Sequence, residues 1–188
     1  PELKGWTYPT TDSPRIRVRD LLSHVGGFVT DDPWGDRQQP LTEEAFTRML
    51  RDGVPFTRAP QTQMEYSSFG YALLGRIVTN VSGRPYNAYI KAELMQPLGM
   101  TSTTYEVRDV PAAKLARGYR WENDAWSLEP TMPHGVFGAM GGVVASADDY
   151  VKWVSFLLDA WPARDGAEKG PVRRSTVREL SQGLNFPS

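Results

Sequence analysis

The sequence predicts a helix-rich α+β fold, mostly helical with one small β hairpin. Three observations predict it. Gly70, Leu73, Leu74, Ile77, Val78 and Val81 recur at helical spacing, with Arg76, Thr79 and Asn80 on the other side. Several other apolar runs are bracketed by helix-starting and helix-stopping residues. Paired strands are signalled clearly in one place, where Tyr119-Arg120-Trp121 and Trp126-Ser127-Leu128 flank Glu122-Asn123-Asp124-Ala125.

The elements follow in chain order. Residues 1–14 are rich in Pro and Thr and read as an extended loop. Residues 16–24 form a short helix stopped by Gly26-Gly27, and 27–40 a loop. Thr42 caps the next helix, Glu43 and Glu44 favour its positive end, and Gly53 ends it. The 68–82 helix is capped by Ser67 or Ser68 and stopped by Gly83 and Pro85. A further helix fits 86–95. After the hairpin, Gly141-Gly142-Val143-Val144 reads as a short strand. Ser146-Ala147-Asp148-Asp149 opens a helix through Leu158, and a last helix covers 175–182.

The 188 residues fit one domain or a large piece of a bigger one. A chain this long can bury roughly 70% of the surface its unfolded form exposes. Twenty-one basic residues against 22 acidic ones leave a net charge of −1. No basic excess points to nucleic acid or an anionic membrane. The absence of Cys excludes a disulfide framework, a thiol nucleophile and Cys-ligated metals. No apolar run approaches the ~18 residues of a membrane span. The N-terminus lacks both a signal pattern and an initiator Met, as expected of a processed or excised segment.

No cofactor is expected. There is no Gly-x-x-x-x-Gly-Lys-Ser/Thr loop, and Gly138, Gly141 and Gly142 lack the flanking elements of a phosphate site. The only histidines, His24 and His134, show no His-Glu-x-x-His spacing. Residues 31–36 read as a solvated acidic loop, with too few oxygen ligands for calcium. His24 reads as a structural histidine bonded to a backbone carbonyl. His134 reads as an exposed or supporting loop residue.

The chemistry-bearing feature is Glu65-Tyr66-Ser67-Ser68-Phe69-Gly70. Tyr66 stands before a helix N-terminus, where free N–H groups create a positive field. A phenol there, close to a cation, can shuttle a proton, and Ser68 can donate to a substrate. On the residues alone the plainer alternative is stronger: a serine cap with Tyr66 as a half-buried packing residue.

Four segments read together. They are Val18-Arg-Asp-Leu-Leu-Ser-His24, Tyr66-Ser-Ser-Phe-Gly-Tyr-Ala-Leu-Leu-Gly75, Gln96-Pro-Leu-Gly-Met100 and Gly141-Gly-Val-Val-Ala-Ser-Ala-Asp-Asp149. In order and spacing they resemble the serine β-lactamase and penicillin-binding-protein superfamily, nearest its class C-like branch of D-peptidases and esterases. The resemblance implies the helical domain of the β-lactamase/DD-peptidase fold, paired with an α/β domain. It implies acyl transfer through a serine acyl-enzyme, with a Ser-x-x-Lys, a Tyr-x-Asn and a Lys-Thr-Gly motif meeting in the cleft. Tyr66 matches the family's proton-shuttling tyrosine, and Ser68 stands where the family has Asn, at the substrate. Ser keeps a hydroxyl but lacks the amide's paired donor and acceptor, which leans towards ester or D-peptide over β-lactam. Arg17 replaces a usual Thr, and Val25-Gly26 a usual Thr-Ser.

No Ser has a Lys three residues later, and no Lys-Thr-Gly occurs. Residues 1–188 are therefore expected to be a middle segment, without the nucleophile-bearing and third-motif parts. It is expected to be inactive alone and to expose an apolar face where the α/β domain packs. The implied partner is a small-molecule or peptide substrate, in the periplasm or outside the cell; the sequence leaves the oligomeric state open. The alternatives are a non-catalytic module of the same family binding peptidoglycan or a partner, and a sugar- or peptide-binding module built on its six Trp.

Overall fold

A computed structural model describes residues 2–31 and 34–182. Its helices are α1 (Val18–Leu22), α2 (Trp34–Arg37), α3 (Glu43–Asp52), α4 (Ser68–Ser82), α5 (Tyr86–Ile90), α6 (Ala147–Leu158) and α7 (Arg174–Leu180). A π-helical turn over Lys91–Met95 continues α5, and a 3-10 turn spans Val136–Met140. The one sheet among the described residues is the antiparallel pair β1 (Tyr119–Glu122) and β2 (Ala125–Leu128).

The capping residues act as their types require. Thr42 Oγ1 accepts from the Ala45 amide at 3.2 Å, and Ser146 Oγ accepts from the Asp149 amide at 3.2 Å. Gly83 ends α4 at φ 69°, a left-handed turn that glycine makes without strain. Residues 86–95 are helical as expected, but the second half widens. The Gln96 amide reaches back five residues to the Lys91 carbonyl, at 2.9 Å.

The core forms where α1, α3, α4 and the 136–140 turn meet. Phe46 and Phe137 are fully buried, and Phe28, Phe69 and Leu73 nearly so. Their rings meet edge to face, Phe46 to Phe69 and Phe46 to Phe137 both at 5.8 Å. Residues 2–14 carry no helix or strand, yet Trp6 enters this core. It stacks on Phe69 at 6.1 Å and donates Nε1–H to the Leu50 carbonyl at 2.8 Å. Gly75 lets α4 approach the 136–140 turn; a Cβ there would sit 2.8 Å from the Ala139 methyl.

Three expectations need correction. The face of α4 that meets the core is Phe69, Ala72 and Leu73, with Leu74 and Ile77 packed against it, and Arg76, placed on the other side by spacing, continues it with its guanidinium over the Phe46 ring at 5.4 Å. Val81, placed on the apolar stripe by spacing, is 84% exposed: the last turn meets its neighbours through Thr79, whose Oγ1 accepts from the Tyr86 amide, and Val81 faces away from them. Residues 141–144 make no strand: Val144 forms a single bridge with Thr104, at 2.8 and 2.9 Å. The 27–40 loop contains the α2 turn, and Asp31 within it is buried rather than solvated. Residues 32 and 33 of that acidic stretch lie outside the described residues. No helix is long and apolar enough to cross a membrane among the described residues.

Candidate active site at the α4 N-terminus

The start of α4 is closed by two side chains. Ser67 is the cap, its Oγ accepting from the Gly70 amide at 3.4 Å. The Asp31 carboxylate accepts from the Ser68 and Phe69 amides, both at 2.7 Å. Helix-start amides that lack intrahelical partners are thereby satisfied, and a negative charge sits at the positive end of the helix. Tyr66 immediately precedes the cap, with 44% of its surface exposed.

His24 lies beneath and beside Tyr66. Its backbone is left-handed at φ 56°, rare for a side-chain-bearing residue. Its carbonyl accepts from the Glu65 amide at 2.8 Å, and its Nδ1 accepts from the Ser67 amide at 3.2 Å. Its ring stacks on Tyr66 at 4.6 Å and on Tyr71 at 5.1 Å. Tyr71 in turn donates its hydroxyl to the Leu22 carbonyl at 3.2 Å. Burial lowers the pKa of His24, opposed in part by the Asp31 charge. The neutral ring is the form that can accept at Nδ1. Burial also raises the pKa of Tyr71, with the neighbouring Tyr66 adding to it. His24 is thus structural, as expected, but its imidazole accepts from an amide instead of bonding to a carbonyl.

Glu65 anchors the approach to Tyr66. Its carboxylate accepts from Thr57 Oγ1 at 2.8 Å and Arg58 Nε at 2.7 Å, and from the Thr30 amide at 3.3 Å. Burial alone would raise its pKa, but the Thr57, Arg58 and Thr30 hydrogen bonds override that and lower it.

Ser68 is 1% exposed. Gly35 lies against its side chain so closely that a Cβ there would fall 2.5 Å from the Ser68 Cβ. His134 belongs to another cluster. It packs between the Tyr86 and Tyr105 rings at 5.4 and 5.3 Å, and Tyr86 donates to the Gly135 carbonyl at 3.1 Å. Burial pushes the Tyr105 phenol up to about 12 and Tyr86 higher still. His134 is therefore a half-buried packing residue, not an exposed one. No cluster of three or more His, Asp or Glu that could hold a metal exists among the described residues.

The chain belongs to the β-lactamase family, whose model, described as Beta-lactamase, matches residues 4–188. It is 26% identical over 160 residues to the D-alanyl-D-alanine-carboxypeptidase/endopeptidase AmpH of Escherichia coli K12, covering 83% of this chain and 40% of that protein. Among solved structures, D-amino acid amidase from Ochrobactrum anthropi SV3 is 27% identical with a TM-score of 0.57, over 77% of this chain and 44% of that one. The octameric penicillin-binding protein homologue from Pyrococcus abyssi has a TM-score of 0.70 at 24% identity, over 96% of this chain and 41% of that one, and shows the shared fold. The chain spans less than half the length of the curated relatives it matches.

The contacts of two residues of the site escaped the sequence reading. Asp31 lies 37 positions before the helix it caps, beyond any local signal. His24 offered a partial signal, a polar residue between a short helix and a glycine pair, but its left-handed backbone is legible only in the fold.

Proposed function

We propose that residues 1–188 are the helical portion of a β-lactamase-like serine hydrolase. The complete enzyme transfers acyl groups through a serine acyl-enzyme, on an ester, a D-peptide or a β-lactam. In this reading Tyr66 takes the proton from the attacking serine hydroxyl and returns it to the leaving oxygen or nitrogen. Ser68, two residues after Tyr66, is assigned in this reading to the substrate side of the site. The observation that carries the reading is the exposed Tyr66 ring, held at the mouth of α4 by His24 and followed directly by a fully bonded helix start. The names of two relatives, a D-alanyl-D-alanine carboxypeptidase and a D-amino acid amidase, support D-configured amide or peptide substrates.

The nucleophile lies, in this proposal, on a part of the domain that precedes these residues, and the third motif on a part that follows. Those parts would cover the exposed apolar side chains of α6. Residues 1–188 alone then form no acyl-enzyme. A fluorophosphonate or penicillin adduct on this chain, seen by intact mass, would defeat that statement. In the full-length enzyme Tyr66→Phe should lower kcat about 100-fold or more while the fold is retained. Activity within twofold of the parent would remove Tyr66 from the mechanism.

A further inference from the structure

We propose that His24 is the positioning residue for Tyr66 and that its protonation gates the tyrosine. The proposal rests on the reading of Tyr66 as the proton shuttle.

Three contacts converge from one residue. The amide before Tyr66, on Glu65, donates to the His24 carbonyl; the amide after it, on Ser67, donates to the His24 Nδ1. Between them the imidazole face lies on the phenol ring at 4.6 Å. Both flanks of the tyrosine and one face of its ring are thus set by His24. The remaining face of the imidazole rests on Tyr71, whose hydroxyl is tied to α1 through Leu22. The clamp is therefore backed from behind. The left-handed backbone at residue 24 turns the carbonyl and the ring towards the same short segment. Strained backbone of this kind persists only where surrounding structure holds it.

The groups facing His24 are Tyr66, Tyr71 and Asp31, with Asp20 and Glu65 lining the small space at its edge. The three carboxylates have other partners. Asp20 accepts from the Arg17 amide and Gln61, Glu65 from Thr57 and Arg58, and Asp31 from the α4 amides. At neutral pH the imidazole is uncharged, with its proton on Nε2 and its Nδ1 lone pair on Ser67. A second proton would set an N–H against the Ser67 N–H and open the clamp on that side. Burial holds the His24 pKa below the ordinary 6.5, so the clamp is intact at pH 7 and is lost as the pH falls through that lowered value.

The test uses the full-length enzyme, a p-nitrophenyl ester and two substitutions. His24→Phe keeps a ring face but has neither the acceptor nor the titration. His24→Asn keeps an acceptor, tolerates the left-handed backbone and does not titrate. The expected results are a kcat loss of roughly 100-fold for His24→Phe, with KM within about twofold, and recovery to within about tenfold for His24→Asn. The acid limb of the parent kcat profile should lose one ionisation in His24→Asn. Combining His24→Phe with Tyr66→Phe should cost no more than Tyr66→Phe alone. If Tyr66→Phe is inactive but His24→Phe matches the parent, or His24→Asn keeps the acid limb unchanged, the clamp is wrong and the shuttle stands. If Tyr66→Phe is fully active, the shuttle itself fails and takes the clamp with it. Should His24→Phe not fold, nitrogen-15 NMR of the parent decides. A protonated Nε2 with bare Nδ1 at pH 7 supports the clamp, and a protonated Nδ1 overturns it.

Discussion

Helices α4 and α6 make an instructive pair. Both are amphipathic, both begin at a serine whose hydroxyl accepts from the third residue's amide, and both run three turns or more. Yet α4 buries Phe69, Ala72 and Leu73, while α6 leaves Tyr150, Val151 and Leu158 exposed, the last at 67%. The difference is what stands opposite. Phenylalanines from α3 and the 136–140 turn close over α4. The α6 helix is instead fastened by a polar knot. Buried Asp149 accepts from the Ser102 amide at 2.7 Å, from Thr103 Oγ1 at 2.9 Å and from Lys152 at 2.7 Å. Lys152 also donates to the Gly99 carbonyl. Apolar spacing therefore specifies a helix and a face, and says nothing of whether that face is covered. One region is held chiefly by burial; the other adds charge and hydrogen bonds to half-buried Trp153, Val154, Phe156 and Leu157 and leaves Tyr150, Val151 and Leu158 open.

The largest expected effect tests the packed region. Phe46→Ala or Phe137→Ala removes a fully buried ring and should destabilise by about 3–5 kcal/mol in chemical denaturation. Leu158→Ala on α6 should stay within about 0.5 kcal/mol. If Leu158→Ala costs as much as the core substitutions, α6 is covered in solution and the contrast is broken.

Next comes the knot. Asp149→Ala strands the Ser102 amide and the Thr103 hydroxyl and leaves Lys152 without its carboxylate, a loss of about 1–3 kcal/mol. Burial alone would raise the Asp149 pKa; the Lys152, Thr103 and Ser102 bonds and the Lys152 charge outweigh it and lower the value below 3.8. A lowered carboxylate pKa stabilises the fold above the unfolded value, and the gain fades as pH falls through the folded value. Acidification below about pH 4 should therefore loosen α6 first, read as faster amide exchange over 147–158 than over 68–82. Asp149→Asn should flatten that pH dependence. Equal acid sensitivity of the two helices would show that the knot does not govern α6.

The same two regions separate what was legible in the sequence from what was not. Thr42, Ser67, Ser146 and Gly83 were readable because a cap is a local event, decided within four residues. The hairpin was readable because Tyr119, Trp121, Trp126 and Leu128 alternate across a short polar turn; its pairing sets Trp121 opposite Trp126. Position 66 was singled out by the Tyr-Ser-Ser-Phe-Gly run and its ordered neighbours, not by physics, which favoured a packing role. What could not be read were the long-range contacts. Trp6 entering the core, Asp31 reaching α4 and His24 folding under Tyr66 each join residues more than thirty positions apart, and each depends on chain reversals that leave no local trace. Val81 failed for the complementary reason, since its spacing was right and its side chain faces solvent.

The smallest expected effect lies on the hairpin, the other open face. Tyr119 and Leu128 pair across the strands, as do Trp121 and Trp126, so all four side chains share one side. All are exposed, Trp126 at 67%. The two indoles meet edge to face at 5.2 Å. On the other side Arg120 pairs with Glu129. A two-stranded hairpin is marginal in water, and a cross-strand aromatic pair contributes only about 0.2–1 kcal/mol. Trp126→Ala should therefore leave the global unfolding midpoint unmoved while amide exchange over 119–128 quickens. A midpoint shift as large as that of Phe46→Ala would join the hairpin to the core. The same side chains also test the binding-module alternative. Adding muropeptides should leave the emission of Trp121 and Trp126 unchanged if this face serves packing within a larger hydrolase. A saturable blue shift, lost in Trp126→Ala, would assign it to a ligand instead, because only a partner that displaces water from an already exposed indole shifts its emission without altering the fold.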